Sequence, residues 1–331
     1  MRMTSACLAL LLVFQLSPLL SASPLPAAPP GARQLAPGVL LVPGRFVAGT
    51  PPDGNSLIFQ GSDGLVLFDT GRHREHAERL LAAAAVTGLP PRAVVNSHWH
   101  LDHVGGNLLV RERYPRVEVY ASGAIHGALR GFLAQYRASL TDQVARAQDP
   151  GAAQALRDEI ALIDAGPRLG PTHEVKASGP LALAGRPLEL HLETFAVTAG
   201  DVWLLDPASG VLAAGDLVTL PVPLLDTACP ARWQAALDHL ATVPFRQLVP
   251  GHGEPMNHAG FDAYRSAFRD LLACAASARG KDACIDGWLR DAGSLVPPED
   301  VTLARQALGY YVAAVLRGDP AKRAKLCSPP G

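Results

Sequence analysis

Ser97-His98-Trp99-His100-Leu101-Asp102-His103 places three imidazoles and a carboxylate within six consecutive residues. Neutral imidazole and carboxylate are the donors zinc prefers where no thiolate is present. The apolar run Ala93-Val94-Val95 precedes the cluster and reads as a buried strand. Gly105-Gly106-Asn107 follows it and reads as a turn. A His-rich loop at the end of a strand is a poor core element and a good cradle for a metal ion. Metal binding is therefore the favoured reading over a solvated polar loop.

Working outward, apolar runs at 39–42, 56–60 and 65–69 read as strands, with Gly61-Ser62-Asp63-Gly64 as a hairpin turn. Ala and Leu recur at helical spacing over 73–86. Strand, helix, strand and then a metal loop is an α/β order. Further strands are expected at 117–121, 188–193, 202–206, 211–214 and 247–249, and a helix at 231–242. Residues 123–168 read as a helical insertion, broken at Asp149-Pro150-Gly151. Two readings of it stand: a cover over the site that shapes the substrate pocket, or plain helical packing.

His-x-His-x-Asp-His after an apolar strand resembles the metallo-β-lactamase-fold hydrolases. Three further stretches resemble the same superfamily in its own order. They are Phe68-Asp69-Thr70-Gly71, Ala214-Gly215-Asp216-Leu217 and Pro250-Gly251-His252-Gly253. The resemblance implies a four-layer αβ/βα sandwich, with a helical insertion and a helical C-terminal extension. It assigns His98 and His100 to a first metal and Asp102, His103 and His252 to a second, with Asp216 bridging both. It also implies that Asp102 orients the attacking hydroxide. Asp69 is either an acceptor that fixes the tautomer of a ligand imidazole or a residue that closes a turn.

One motif departs from the family. The stretch Phe195-Ala196-Val197-Thr198-Ala199-Gly200-Asp201 resembles its Ala-His-Thr-x-Gly-Asp, with Val197 where the His belongs. Valine cannot bind metal. The second site keeps four protein ligands, whereas the first keeps three, which still makes an acceptable zinc shell with water. The expectation is one zinc bound tightly and a second weakly or not at all. Three outcomes stay open: hydrolysis with one ion, hydrolysis with two ions when metal is plentiful, or a fold kept for binding alone. His191 and Glu193 share a strand face but precede the family's ligand position, so neither is expected to substitute. His73 and His76 read as positions on a surface helix, and Trp99 either packs beside the site or stacks on substrate.

The chain has 331 residues, 48% of them hydrophobic and 18% charged, with a net charge of −1. That balance fits a globular protein and offers no basic surface for nucleic acid. Arg2 followed by apolar residues 6–20 and small residues near 21–28 reads as a secretory signal peptide over 1–27. A Pro-rich leader is expected over 28–37, a metallo-β-lactamase-like domain over 38–260 and the helical extension over 261–331. No second long apolar run follows, so no stable membrane insertion is expected after cleavage.

Cys229, Cys274, Cys284 and Cys327 remain after the leader, an even number that favours disulfides in an exported protein. Cys274–Cys284 and Cys229–Cys327 are the favoured pairs, and free buried thiols the alternative. The resemblance is strongest to the glyoxalase II-like branch and its exported relatives, which act on thioesters, lactones, lactams and other small acyl compounds. The leading expectation is an exported hydrolase of a small-molecule substrate by metal-bound hydroxide. The alternative is a non-catalytic binding or accessory protein on the same fold. Substrate identity and oligomeric state are not legible.

Overall fold

The computed structural model describes residues 31–45 and 50–328. The signal-peptide expectation over 1–27 lies outside them. Among the described residues, twelve strands form two sheets. The first holds β1 (Arg33–Ala36), β2 (Val39–Val42), β3 (Ser56–Gln60), β4 (Leu65–Phe68), β5 (Pro91–Val95), β6 (Glu118–Ala121) and β7 (His173–Glu174), side by side in chain order. The second runs β12-β11-β10-β9-β8, from β8 (Gly179–Leu183), β9 (Arg186–Glu193), β10 (Asp201–Asp206), β11 (Val211–Thr219) and β12 (Gln247–His252).

Period-two alternation builds the layers. Leu57, Phe59, Val66, Phe68, Ala93 and Val95 face Val202, Leu204, Val211 and Ala213 between the sheets. The intervening Ile58, Leu65, Leu67 and Val94 face outward and pack with Ala77, Leu80, Ala84, Leu109 and Val110. Those residues lie on helices α1 (Arg74–Val86) and α3 (Asn107–Arg113), which flank the one-turn α2 (Leu101–Val104). The helical insertion comprises α4 (Ala124–Arg130), α5 (Phe132–Arg146) and α6 (Pro150–Asp164).

On the second sheet, Trp203, Leu205, Leu212 and Ala214 turn outward. They are covered by α7 (Pro230–Leu240), α8 (His258–Ala276), α9 (Lys281–Ala292) and α10 (Val301–Tyr310), and α11 (Pro320–Leu326) ends the described chain. The four-layer αβ/βα sandwich is therefore the fold, with helices added at the C-terminus. Disulfides join Cys229 to Cys327 and Cys274 to Cys284.

One local expectation is corrected and one holds in part. Part of the stretch read as a Pro-rich leader is strand β1, paired antiparallel with β2; Pro37-Gly38 serves as the hairpin turn rather than as linker. Gly105-Gly106 forms the expected turn, and Asn107 already begins α3. Both residues have right-handed helical dihedrals and join α2 to α3. Glycine is required there by close approach, because a Cβ on Gly106 would lie 2.2 Å from the Thr70 carbonyl oxygen.

Candidate metal centre

Both sheets deliver their parts from strand ends. β4, β5 and β6 run parallel, as do β11 and β12, so the carboxyl ends of each set gather at one edge. His98 and His100 lie on the loop after β5, Asp102 and His103 on α2, Asp216 within β11, and His252 at the end of β12. The sheets must come close for these to meet. Gly215, at φ 54° beside a register shift in β11, allows it: a Cβ there would lie 2.4 Å from the Ser97 Cβ. A Cβ on Gly251 would lie 2.0 Å from Asp216 Oδ1.

Two triads result. Donor atoms of His98, His100 and Asp216 lie within 4.8 Å of one another, and so do those of Asp102, His103 and His252. Asp216 sits between them. Its Oδ2 is 3.7 Å from His98 Nε2, and its Oδ1 is 3.2 Å from His103 Nε2 and 3.6 Å from His252 Nε2. Asp102 Oδ2 is 3.0 Å from His252 Nε2. The structure thus brings together all six residues singled out from sequence. Asp102, His103, His98, Asp216 and His252 are buried, and His100 is partly exposed.

These donors fit a cation. His98 Nε2, His103 Nε2 and both Asp216 oxygens are buried with no hydrogen-bond partner among the described residues. Such orphaned polar atoms are costly unless something else meets them. Burial raises the Asp102 and Asp216 carboxyls, but charge on His103 outweighs it and holds both well below the usual range. Burial lowers His103, yet the Asp216, Asp69 and Asp102 carboxylates hold it well above its ordinary value. Burial, with His103 and His100 nearby, pushes His98 well below its own. Carboxylates outnumber fixed cations at this buried centre, which a divalent ion would correct.

Hydrogen bonds behind the triads decide which ring nitrogens face inward. Asp69 accepts from Ser97 N, Ser97 Oγ and His103 Nδ1, each at 2.7 Å. Because the Ser97 proton goes to Asp69, His98 Nδ1 must donate to Ser97 Oγ at 2.9 Å. In their neutral forms, the forms that bind metal, both rings then present a bare Nε2 to the centre. Asp69 takes the tautomer-fixing place of the two considered for it. It does so at φ 54°, a left-handed conformation that a short polar side chain tolerates.

Several residues escaped the sequence reading. Thr227 Oγ1 lies 2.9 Å from His100 Nε2. Asn55 Nδ2 donates to the Pro250 and Gly253 carbonyls, holding the loop of His252. Arg72 places a guanidinium nitrogen 3.7 Å from Asp102 Oδ1 and pairs with Glu159 of α6. The insertion also joins Trp99, Leu101 and Val104 of the metal loop in one apolar cluster. It therefore packs against the site, and Trp99 lies 5.5 Å, centroid to centroid, from Phe132. Only an isolated Thr, Asn or Arg marked these positions, with no spacing to single them out.

Val197 is fully buried in the outer core of the second sheet. The loop around it persists. Asp201 accepts from Val197 N and Thr198 N, each at 3.0 Å, and from Thr198 Oγ1 at 2.8 Å. His191 stacks on Trp203 at 3.7 Å, and Glu193 accepts from Trp203 Nε1 and His239 Nδ1. Neither reaches the centre, in line with the sequence reading. His76, on the inner face of α1, is buried and hydrogen-bonded, 2.8 Å from Ser56 Oγ, and belongs to neither triad.

Comparisons agree with this architecture. The family model described as the metallo-beta-lactamase superfamily matches residues 49–277. A hydroxyacylglutathione hydrolase from Synechococcus sp. is 41% identical over 69 residues, 21% of this chain and 27% of that protein. A linear primary-alkylsulfatase from Pseudomonas sp. is 26% identical over 220 residues, 60% of this chain and 41% of that protein. The chain thus spans less than half the length of either curated relative. Among solved structures, a metallo-beta-lactamase from Pontibacter korlensis superposes with TM-score 0.53 at 22% identity, covering 72% of this chain and 98% of that one. A sec-alkylsulfatase from Pseudomonas sp. gives TM-score 0.58 at 19% identity, covering 91% and 52%. With the family model spanning most of the chain and the sandwich reproduced, this protein belongs to the metallo-beta-lactamase superfamily of metal-dependent hydrolases.

Proposed function

We propose that the chain is an exported zinc-dependent hydrolase of a small acyl substrate, such as a thioester, lactone or lactam. The observation that carries this reading is the pair of triads sharing Asp216, with orphaned nitrogens and oxygens turned inward. Asp102, His103, His252 and Asp216 would hold the tighter ion, and His98, His100 and Asp216 the weaker one. Zinc bound there would polarise the acyl oxygen and make a nucleophilic water available near neutral pH. Asp102 would orient that water and accept its proton at the carboxylate. His98 and His103 stay aimed because Asp69 and Ser97 hold their Nδ1 protons.

Export is supported by the apolar N-terminal stretch and by two disulfides. Among the described residues no helix is long and apolar enough to cross a membrane. The second reading, a binding or accessory protein, draws its support from Val197. Elemental analysis of the purified protein, with acyl-ester and thioester hydrolysis, tests both. One zinc or more per chain with turnover is the expected result. Val197→His should raise metal content, and zinc should raise its melting temperature more than it raises that of the wild type. Added metal without turnover on any acyl substrate would favour the binding reading, and no zinc uptake at all would overturn the proposal.

A further inference from the structure

We infer that Thr227 is a positioning residue for His100, held in place by the C-terminal helices; the inference rests on the metal reading above. The hydroxyl of Thr227 has one proton to give. Its oxygen lies 2.9 Å from the Val197 carbonyl oxygen and 2.9 Å from His100 Nε2. A carbonyl can only accept, so the Thr227 proton goes there. His100 must then donate from Nε2, which leaves Nδ1 bare. This is the opposite tautomer from His98 and His103, whose Nδ1 atoms face Ser97 and Asp69. Asp69 and Ser97 therefore cannot account for His100.

The arrangement matters because Val197 leaves the first triad one ligand short. With three ligands, each misaimed ring is a larger fraction of the shell. The residue that supplies no ligand still supplies the carbonyl that sets Thr227. The segment carrying Thr227 lacks regular secondary structure and is tied to the helical extension at three points. Trp288 Nε1 donates to the Pro221 carbonyl at 3.1 Å, and Tyr311 Oη donates to Asp226 Oδ2 at 2.6 Å. Cys229 is bonded to Cys327, and its N–H donates to the Ala196 carbonyl at 2.9 Å. The extension has no member in either triad, yet it fixes the segment on which Thr227 stands.

The test is the His100 tautomer in metal-free, 15N-histidine-labelled protein, read from ring-nitrogen shifts and assigned with His100→Asn. The wild type should show Nε2 protonated and Nδ1 bare. Thr227→Val should mix the tautomers, and Thr227→Ser should restore the wild-type pattern. Thr227→Ala, which also removes the hydroxyl, carries the same readout if the valine variant does not fold. In zinc titrations Thr227→Val should weaken the weaker site by about 10- to 100-fold and leave the tighter one within about twofold. An unchanged tautomer, or equal weakening of both sites, would overturn the inference. A wild type that binds no zinc would instead overturn the metal reading, and the tautomer would still decide whether Thr227 orients the ring.

Discussion

Replacing Asp69 by Asn changes one charge and almost no volume, so its consequences can be followed atom by atom. The carboxylate accepts three hydrogen bonds, from Ser97 N, Ser97 Oγ and His103 Nδ1. An Asn at this position has one acceptor oxygen. If that oxygen stays on Ser97 N, the amide NH2 faces Ser97 Oγ and His103 Nδ1, and donor meets donor. His103 relieves the clash by moving its proton to Nε2, the atom 3.2 Å from Asp216 Oδ1. Ser97, no longer donating to Asp69, turns its proton to His98 Nδ1, and His98 then protonates Nε2. Both inward nitrogens lose their lone pairs. Loss of such a partner costs about 10- to 100-fold in metal affinity, or about 1.4–2.7 kcal/mol. Competition against a chromophoric chelator would measure it, with thermal unfolding in EDTA as the control for folding. Unlike Thr227→Val, Asp69→Asn should weaken both sites. If Asp69 mattered only as a turn residue, a folded variant would bind zinc within about twofold of the wild type, and the tautomer argument would be refuted.

Two further outcomes are expected. The Cys229–Cys327 bond closes 98 residues of chain, so Cys327→Ser should lose about 2–5 kcal/mol of stability in denaturant titrations without reductant; a loss under about 1 kcal/mol would mean the extension is held by packing alone. Asp53 accepts from Arg72 N, His73 N and His73 Nδ1. Burial pushes its carboxyl up, but the His73 hydrogen bonds bring it down to about 2. His73 is raised by its hydrogen bond to Asp53. The depressed carboxyl contributes stability above about pH 4, lost as pH falls through its folded value. The raised imidazole contributes stability below about pH 6.5, lost as pH rises through its own. The pair is thus fully effective between those limits, worth about 1–2 kcal/mol once partial exposure is allowed for. Asp53→Asn should flatten both limbs of a stability–pH curve, and an unchanged curve would remove the pair from the account.

Much of the candidate centre was legible because four of its six residues are local in sequence. His98, His100, Asp102 and His103 fall within one strand-end loop and the turn of helix after it, where spacing alone brings donors together. Asp216 and His252 were marked only by the family resemblance of Gly215-Asp216 and Pro250-Gly251-His252; that these glycines let the sheets touch is visible only in the fold. Thr227 was not legible. It lies 127 residues from His100 in an irregular segment, where one Thr carries no periodic signal. Strand β1 was obscured by the prolines that flank it, Pro29, Pro30 and Pro37, and the one-turn α2 by a His-rich stretch that reads as loop.

The sequence alone determined the alternation that makes two sheets face each other, the order of the family's motifs, the four cysteines and a valine, Val197, where the resembled motif carries a histidine. Those are properties of residue type and spacing, and they survive in one dimension. Tertiary structure alone decided that Asp69 sets tautomers, that Thr227 serves His100, and that the helical insertion rests on the metal loop. A ring's tautomer depends on which acceptor stands behind it within about 3 Å. That acceptor can come from any element the fold brings near, so only the packed chain specifies it.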